Sequence, residues 1–355
     1  MKVPSVSVVM AVYNGERWLA ETLAGLEAQT FADFEVVVID DGSSDETPAI
    51  LTAAVLRDRR YRVITQTNRG LVASLNRGLA EARAPLVARI DADDIAEPTR
   101  FALQVEFLRS HPEVAALGSA IRIIGPDGAF RRLQSYPCGP AAVADAMLRG
   151  CALAHPAVML RRADVLAAGG YREAFRHAED YDLWLRLGER HDLDNLPDSL
   201  LRYRQHGGSV SFRHRQQQVL ASFVARHCAV ARRAGRPDPL RELTQPMDAG
   251  ILQRLDLAPA DEAAFRFESL KSALWPAGQD NDDAWLEENM DLAWGLRACL
   301  PAGRFARRCL IPYARRSRRQ GRPDLARRWL RRAFALAPLS TAWGLLVAAV
   351  RGTET

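Results

Sequence analysis

The sequence predicts an α/β fold, a mostly parallel sheet covered by helices, followed by an all-helical accessory region. Three observations carry that prediction. Apolar, largely β-branched runs recur at residues 5–12, 35–39, 61–66 and 85–88, the length and composition of strands buried on both faces. Between them lie segments with apolar residues at helical spacing, such as Trp18, Leu19, Leu23 and Leu26. The strands also run out into turn-formers and carboxylates, as expected where an open sheet binds ligands beyond the carboxyl ends of its strands.

Taken in order, Ser5-Val6-Ser7-Val8-Val9-Met10-Ala11-Val12 is the first strand, and Tyr13-Asn14-Gly15 turns the chain into a helix over 16–29. The second strand ends in Asp40-Asp41-Gly42-Ser43-Ser44-Asp45. Gly42 permits the tight turn, and Ser43, Ser44 or Asp45 caps the next helix. A third strand over 61–66 and a third helix over 70–83 lead into the fourth strand. That strand delivers Ile90-Asp91-Ala92-Asp93-Asp94, three carboxylates within four residues. Asp91 and Asp93 are two apart, so an extended backbone points them to one face. Crowded like charges repel, and a hard cation such as Mn²⁺ or Mg²⁺ would neutralise them, held by one or two carboxylates plus substrate phosphates. The β-α-β-α-β-α-β order calls for a parallel sheet with both faces covered.

Further on, residues 118–130 read as strand, turn (Gly125-Pro126-Asp127-Gly128) and strand. Pro156 argues against a central strand at 151–160, and His155 is either a substrate-side contact or a turn residue. In His177-Ala178-Glu179-Asp180-Tyr181-Asp182-Leu183-Trp184, apolar positions 181, 184, 185 and 187 fit a helix with one buried face. Glu179 and Asp180 fall in its first turn, where the positive helix end favours ionised carboxylates. Asp182 reads as a helix-surface charge.

Six stretches in this order, VSVVMAVYNGERWLAETL, FADFEVVVIDDGSSDET, NRGLVASLNRGL, ARIDADD, HAEDYDLWLRL and YRQHGGSVS, resemble the family 2 inverting glycosyltransferases. That family has a single Rossmann-like nucleotide-sugar domain, the GT-A fold, and the resemblance spans residues 3–211. It implies that Tyr13 stacks on the nucleotide base and that Asp41 accepts from the base N–H. Asp40 would support the loop or reach the ribose, Asp91 would accept from ribose hydroxyls, and Asp93 would bind the metal bridging the diphosphate. Asp94 either caps the next helix or leans on the metal through water. The resemblance makes Asp180 the general base, with Glu179 touching sugar or acceptor hydroxyls. Gly169-Gly170-Tyr171 matches the loop before the catalytic helix. Arg204 would stabilise phosphate oxygens, and His206 is either a metal ligand or a plain loop residue. The paired Gly207 and Gly208 suggest a loop that orders when donor binds.

The implied reaction is metal-assisted, inverting transfer from a nucleotide-sugar donor, UDP-sugar favoured, to a hydroxyl of a cell-surface glycan or lipid-linked precursor. A sugar-1-phosphate nucleotidyltransferase is the runner-up. It would need a Gly-rich phosphate loop with a basic residue after the first strand, which Tyr13-Asn14-Gly15 does not supply. A non-catalytic helical scaffold with a degenerate transferase domain is the third reading, and intact Asp41, Asp91, Asp93 and Asp180 oppose it.

Composition places the chain in the cytoplasm. Five cysteines without metal spacing point to reduced thiols, and no signal peptide is expected before the first strand. Lysine occurs only at Lys2 and Lys271. The net charge of +5 is unevenly spread: residues 301–355 hold thirteen arginines against Asp324 and Glu354. Arginines interleaved with helical apolar positions suit peripheral contact with the inner face of an anionic membrane. No recognition motif accompanies them, so nucleic acid is not expected as a partner. Residues 333–350 are uncharged, but Pro338 interrupts them, so a spanning helix is not expected. Residues 324–338 resemble one helix of a tetratricopeptide-like repeat. The expected division is a catalytic domain over 1–215 and a helical, arginine-rich region over 216–355.

Overall fold

The computed structural model describes residues 3–207, 214–248, 250–255, 257–274 and 283–342. They group into two compact units, one drawn from 1–213 and 224–247, the other from 214–223 and 248–355. Against the expected division at 215/216, residues 224–247 return to the first unit.

In the first unit, nine strands form one sheet among the described residues. β1 (Val6–Val12), β2 (Phe34–Asp40), β3 (Tyr61–Thr65) and β4 (Leu86–Arg89) pair in parallel in the order β3-β2-β1-β4. The helices α1 (Leu19–Glu27), α2 (Thr47–Arg57) and α3 (Leu71–Glu81) connect them. Every residue of β2 is buried, as strands covered on both faces require. Gly78 lets α3 lie close on the sheet, because a Cβ there would collide with Val9.

Beyond β4 the sheet turns mixed. β5 is the two-residue Ile95–Ala96, α4 is Arg100–Ser110, β6 is Val114–Ile124 and β7 is Phe130–Gln134. α5 (Pro140–Met147) follows, then β8 (Met159–Arg161), which runs antiparallel to both β4 and β6. Pro156 sits in a 3₁₀ turn over His155–Ala157 that precedes β8, so the proline lies off the ladder. α6 (Arg162–Ala167) and α7 (Glu179–Leu187) lead to β9 (Asp192–Arg204), parallel to β6 and antiparallel to β5. α8 (Arg215–Arg233) follows, its residues 224–233 counted in this unit and 215–223 in the second. The fold is α/β of the GT-A type. The core under the sheet is built from Val6, Val8, Met10, Leu19, Leu23, Val36 and Phe101, all nearly inaccessible.

The second unit is helical, with helices Pro259–Ala273, Asp283–Gly295, Ala302–Phe305, Ile311–Arg319 and Pro323–Leu336. Phe305, Leu310, Tyr313 and Trp329 fill its core. Arg304, Arg307, Arg308, Arg315, Arg318 and Arg319 are exposed, while Phe305, Ala306, Cys309, Leu310, Ala314 and Ser317 between them are buried. The arginine stripe is therefore the outward face of this helical run. Among the described residues no helix is long and apolar enough to cross a membrane. The expected loop at Gly208 and Ser209 and the end of the uncharged stretch, 343–350, lie outside the described residues.

Candidate active site

A cleft of about 1050 Å³ opens at the carboxyl ends of β1, β2 and β4. Tyr13, Asp41, Asp91, Asp93 and His206 all line it. Tyr13 follows β1 directly and is 55 % exposed, a ring free to stack. Asn14 stitches the two nucleotide-side loops together: its N–H donates to Ser43 Oγ (2.9 Å), and its Oδ1 accepts from the Ser44 N–H (2.9 Å). Asp40 is buried and accepts the Ser43 N–H at 3.0 Å, which is the loop-supporting alternative. Asp41 accepts from Gln66 Nε2 (2.7 Å) and from the N–H groups of Arg69 (2.9 Å) and Gly70 (2.8 Å) at the start of α3. Its carboxylate is thereby locked in place at the wall of the cleft.

The acidic loop after β4 brings Asp91, Asp93 and Asp94 together, each able to offer one oxygen within 4.8 Å of the others. Such a set of hard oxygen donors suits Mg²⁺ or Mn²⁺. Asp94 is fully buried; one oxygen accepts the Arg204 N–H at 2.8 Å, and Oδ2 has no hydrogen-bond partner among the described residues. Burial, then Asp93 and Asp91, hold its carboxyl well above the usual range. Burial and then Asp91 likewise raise Asp93, whose Oδ2 lies 2.8 Å from His206 Nε2. The His206 ring packs against Trp18 at 4.2 Å between centroids, tilted by 42°. Carboxyls this desolvated and crowded are a site poised for positive charge.

Arg204 departs from the expectation that it meets phosphate. It is 1 % exposed and does not line the cleft. Its guanidinium donates to the carbonyls of Asp93 (2.9 Å) and Pro126 (3.3 Å) and to Glu21 Oε2 (2.7 Å). It props the acidic loop from behind. Its place beneath the acidic loop follows from the pairing of β9 with β6, where Arg204 lies opposite Ile124, a register the sequence alone does not reveal.

α7 carries Glu179 and Asp180 in its first turn, and neither lines the cleft. Asp180 Oδ1 accepts its neighbour Tyr181's N–H at 2.7 Å, and the Cys151 thiol lies 4.0 Å from Oδ2. Burial raises the Asp180 carboxyl; Arg89 opposes the shift and Asp91 adds to it. Burial and then Asp180 push Glu179 up to about 7. Asp182 is no surface charge: it is fully inaccessible and bound to Arg172 and Arg186. His155 is buried against the Tyr171 hydroxyl (2.9 Å), and burial, then Arg89, hold it well below its ordinary range. It opens the 3₁₀ turn before β8, the turn-residue alternative.

Sequence reasoning missed Arg89. It ends β4, is 3 % exposed, and places Nη1 2.5 Å from Asp91 Oδ2. Its charge also acts on Glu179 and Asp180, so one cation serves both acidic groups. The available signal was an arginine inside an otherwise apolar strand, which burial makes costly unless paired.

With the fold and this geometry in view, comparison with known proteins gives a consistent class. Residues 7–170 match the family model described as Glycosyl transferase family 2. The putative glycosyltransferase EpsE of Bacillus subtilis is 34 % identical over 207 residues, covering 57 % of this chain and 73 % of that protein. The O-antigen biosynthesis glycosyltransferase WbnJ of Escherichia coli is 31 % identical over 209 residues, 58 % of this chain and 81 % of WbnJ. Residues 1–349 of S. aureus TarS, solved in complex with UDP-GlcNAc, share the fold at a TM-score of 0.58 and 17 % identity, over 92 % of this chain and 90 % of that one. The chain belongs to glycosyltransferase family 2.

Proposed function

We propose that this glycosyltransferase moves a sugar, with inversion, from a UDP-sugar to a hydroxyl of a cell-surface glycan or its lipid-linked precursor. The observation that carries the proposal is the pairing of two acidic groups around one buried arginine. Asp91 and Asp93 stand at the cleft, Glu179 and Asp180 lead α7, and Arg89 acts on both. Tyr13 stacks on the base and Asp41 shapes the base pocket from its fixed position. Asp91 takes the ribose hydroxyls. Mn²⁺ or Mg²⁺, held by Asp93 with Asp91 and Asp94 nearby, would supply Lewis-acid neutralisation of the departing diphosphate.

The protein's own residues do the proton work. Asp180 accepts the proton of the acceptor hydroxyl as that oxygen bonds to the anomeric carbon and the bond to diphosphate breaks on the opposite face. Its raised carboxyl makes it a stronger base than an exposed aspartate, once ionised. Glu179 orients sugar or acceptor hydroxyls. His206 reads as a positioning partner of Asp93, with its metal-ligand role dependent on releasing that bond. WbnJ's role in O-antigen biosynthesis and the UDP-GlcNAc bound by TarS support the glycan acceptor and the uridine donor. The exposed arginine stripe of the second unit supports docking on the inner membrane surface, where a lipid-linked acceptor would lie.

Calorimetric titration with UDP, GDP and dTDP, each with and without Mn²⁺, tests this reading. Tight, metal-dependent binding of UDP is expected. Binding of none of the three would overturn the assignment of the cleft.

A further inference from the structure

The helix bearing Glu179 and Asp180 is held from behind by six charged side chains that take no part in the proposed chemistry. Buried Asp182 accepts from Arg172 Nε at 3.0 Å and from Arg186 Nε and Nη2 at 2.9 and 2.8 Å, and Arg172 Nη2 closes on its other oxygen. Arg172 turns Nη1 to Asp238 Oδ2 at 2.9 Å. Asp238 also accepts Arg232 Nη1 at 2.7 Å, and Arg232 Nε reaches Glu189 at 2.6 Å. Glu189 lies just past the end of α7. Residues 232–238 therefore grip α7 at both ends, through Arg172 at Asp182 in the first turn and directly at Glu189.

Three carboxylates and three guanidiniums cancel in this network. A buried ion network is a poor source of net stability, because desolvation offsets attraction. Its strength is geometric: planar guanidinium forks fix the distance and angle of the carboxylates they bridge. Asp238 is itself fixed, since Oδ1 accepts the Leu240 N–H at 2.9 Å and Gly235 turns the chain with a φ of 71° just before it. Asp182 and Asp180 are two residues apart on one helical turn, so whatever places the first places the second.

We propose that Asp238 is a positioning residue: the return segment 232–240 sets the placement of α7, and so of Asp180, through Arg172 and Asp182. The inference rests on the reading of Asp180 as the base. It gives residues 224–247 a task in the reaction although they lie far along the chain from either acidic group.

Cys151 supplies a reporter independent of any acceptor. Its thiol sits beside Asp180, and burial and then that carboxylate push the thiol well above its ordinary range, which slows alkylation. N-ethylmaleimide modification of Cys151 is followed by peptide mass spectrometry in the full-length chain, with UDP and Mn²⁺ calorimetry as the check that the nucleotide side is intact. Asp180→Asn calibrates the assay by raising the rate. Asp238→Asn is expected to raise it severalfold in the same sense while UDP affinity stays unchanged, and Asp238→Glu to restore it largely. Should Asp238→Asn fail to fold, Arg232→Lys weakens the same link more gently. A wild-type alkylation rate in a well-folded Asp238→Asn protein overturns the inference. Retention of transfer by Asp180→Asn would instead remove the base assignment and leave the Cys151 comparison standing.

Discussion

Replacing Glu179 by glutamine should stabilise the protein at pH 8 and leave it unchanged near pH 4.5. Glu179 is 5 % exposed, and burial followed by the charge of Asp180 pushes its carboxyl from 4.5 up to about 7. For an acid raised on folding, the folded chain keeps a proton that the unfolded chain releases. Stability is then greatest below pH 4.5, falls as pH rises toward 7, and levels off above. With about 1.4 kcal/mol per pH unit of that window, the buried carboxylate costs on the order of 3 kcal/mol at pH 8. Glutamine keeps the shape and removes the charge. At about 2–4 °C per kcal/mol for a unit of this size, the melting midpoint should rise by roughly 6–12 °C at pH 8. Because the two carboxyls titrate as a pair, Asp180→Asn should shrink the gain. The assay is thermal melting of wild type and variant at pH 4.5, 6 and 8 with a chelator present. An equal shift at all three pH values, or a lower midpoint at pH 8, would refute the reasoning and mean that Glu179 is ionised and well paired in the folded state.

Other outcomes follow from the same geometry. Asp180→Asn should abolish sugar transfer yet keep UDP affinity by calorimetry, and lost UDP binding would make Asp180 structural. Asp93→Ala should weaken UDP binding with Mn²⁺ far more than without it; equal losses in both conditions would place the cation elsewhere. Tyr13→Ala should lower UDP affinity by about 1–3 kcal/mol, the range for one base stacked on an aromatic ring, and unchanged affinity would remove the ring from the base pocket. Arg204→Met should destabilise the fold by about 2–4 kcal/mol, since it strips the Asp93 and Pro126 carbonyls of their donors. An equally stable Arg204→Met protein with weaker UDP binding would restore the phosphate contact.

Strands β1 to β4, their helices and the first turn of α7 were legible because apolar runs, turn glycines and first-turn acids act locally. The cleft residues were legible too, since they sit at strand ends that the βα pattern locates. What escaped depends on packing across the chain. Arg204 reads in sequence as part of a loop after a short strand, yet β9 runs through it and sets it beneath the acidic loop. Asp182 looks solvated until Arg172 and Arg186 enclose it. Arg89 gains meaning only when folding buries it and pairs it with Asp91. The return of residues 224–247 to the first unit has no local pattern at all, because its marks are single charges, Arg232 and Asp238, whose partners lie far away in sequence.

β9 has a consequence for engineering. Its thirteen residues, about 40 Å of chain at strand rise, begin shortly after α7 and end with Arg204 braced against Asp93 and Asp94 and with His206 two residues on. From Leu201 on, where its pairing with β6 runs without a register shift, a single inserted or deleted residue would reverse the facing of every side chain beyond it. That would swing Arg204 out of its socket and carry His206 away from Asp93. Chimeras should therefore inherit β9 at its full length, together with the connection between β7 and α5 that bonds to Asp194 and Asn195.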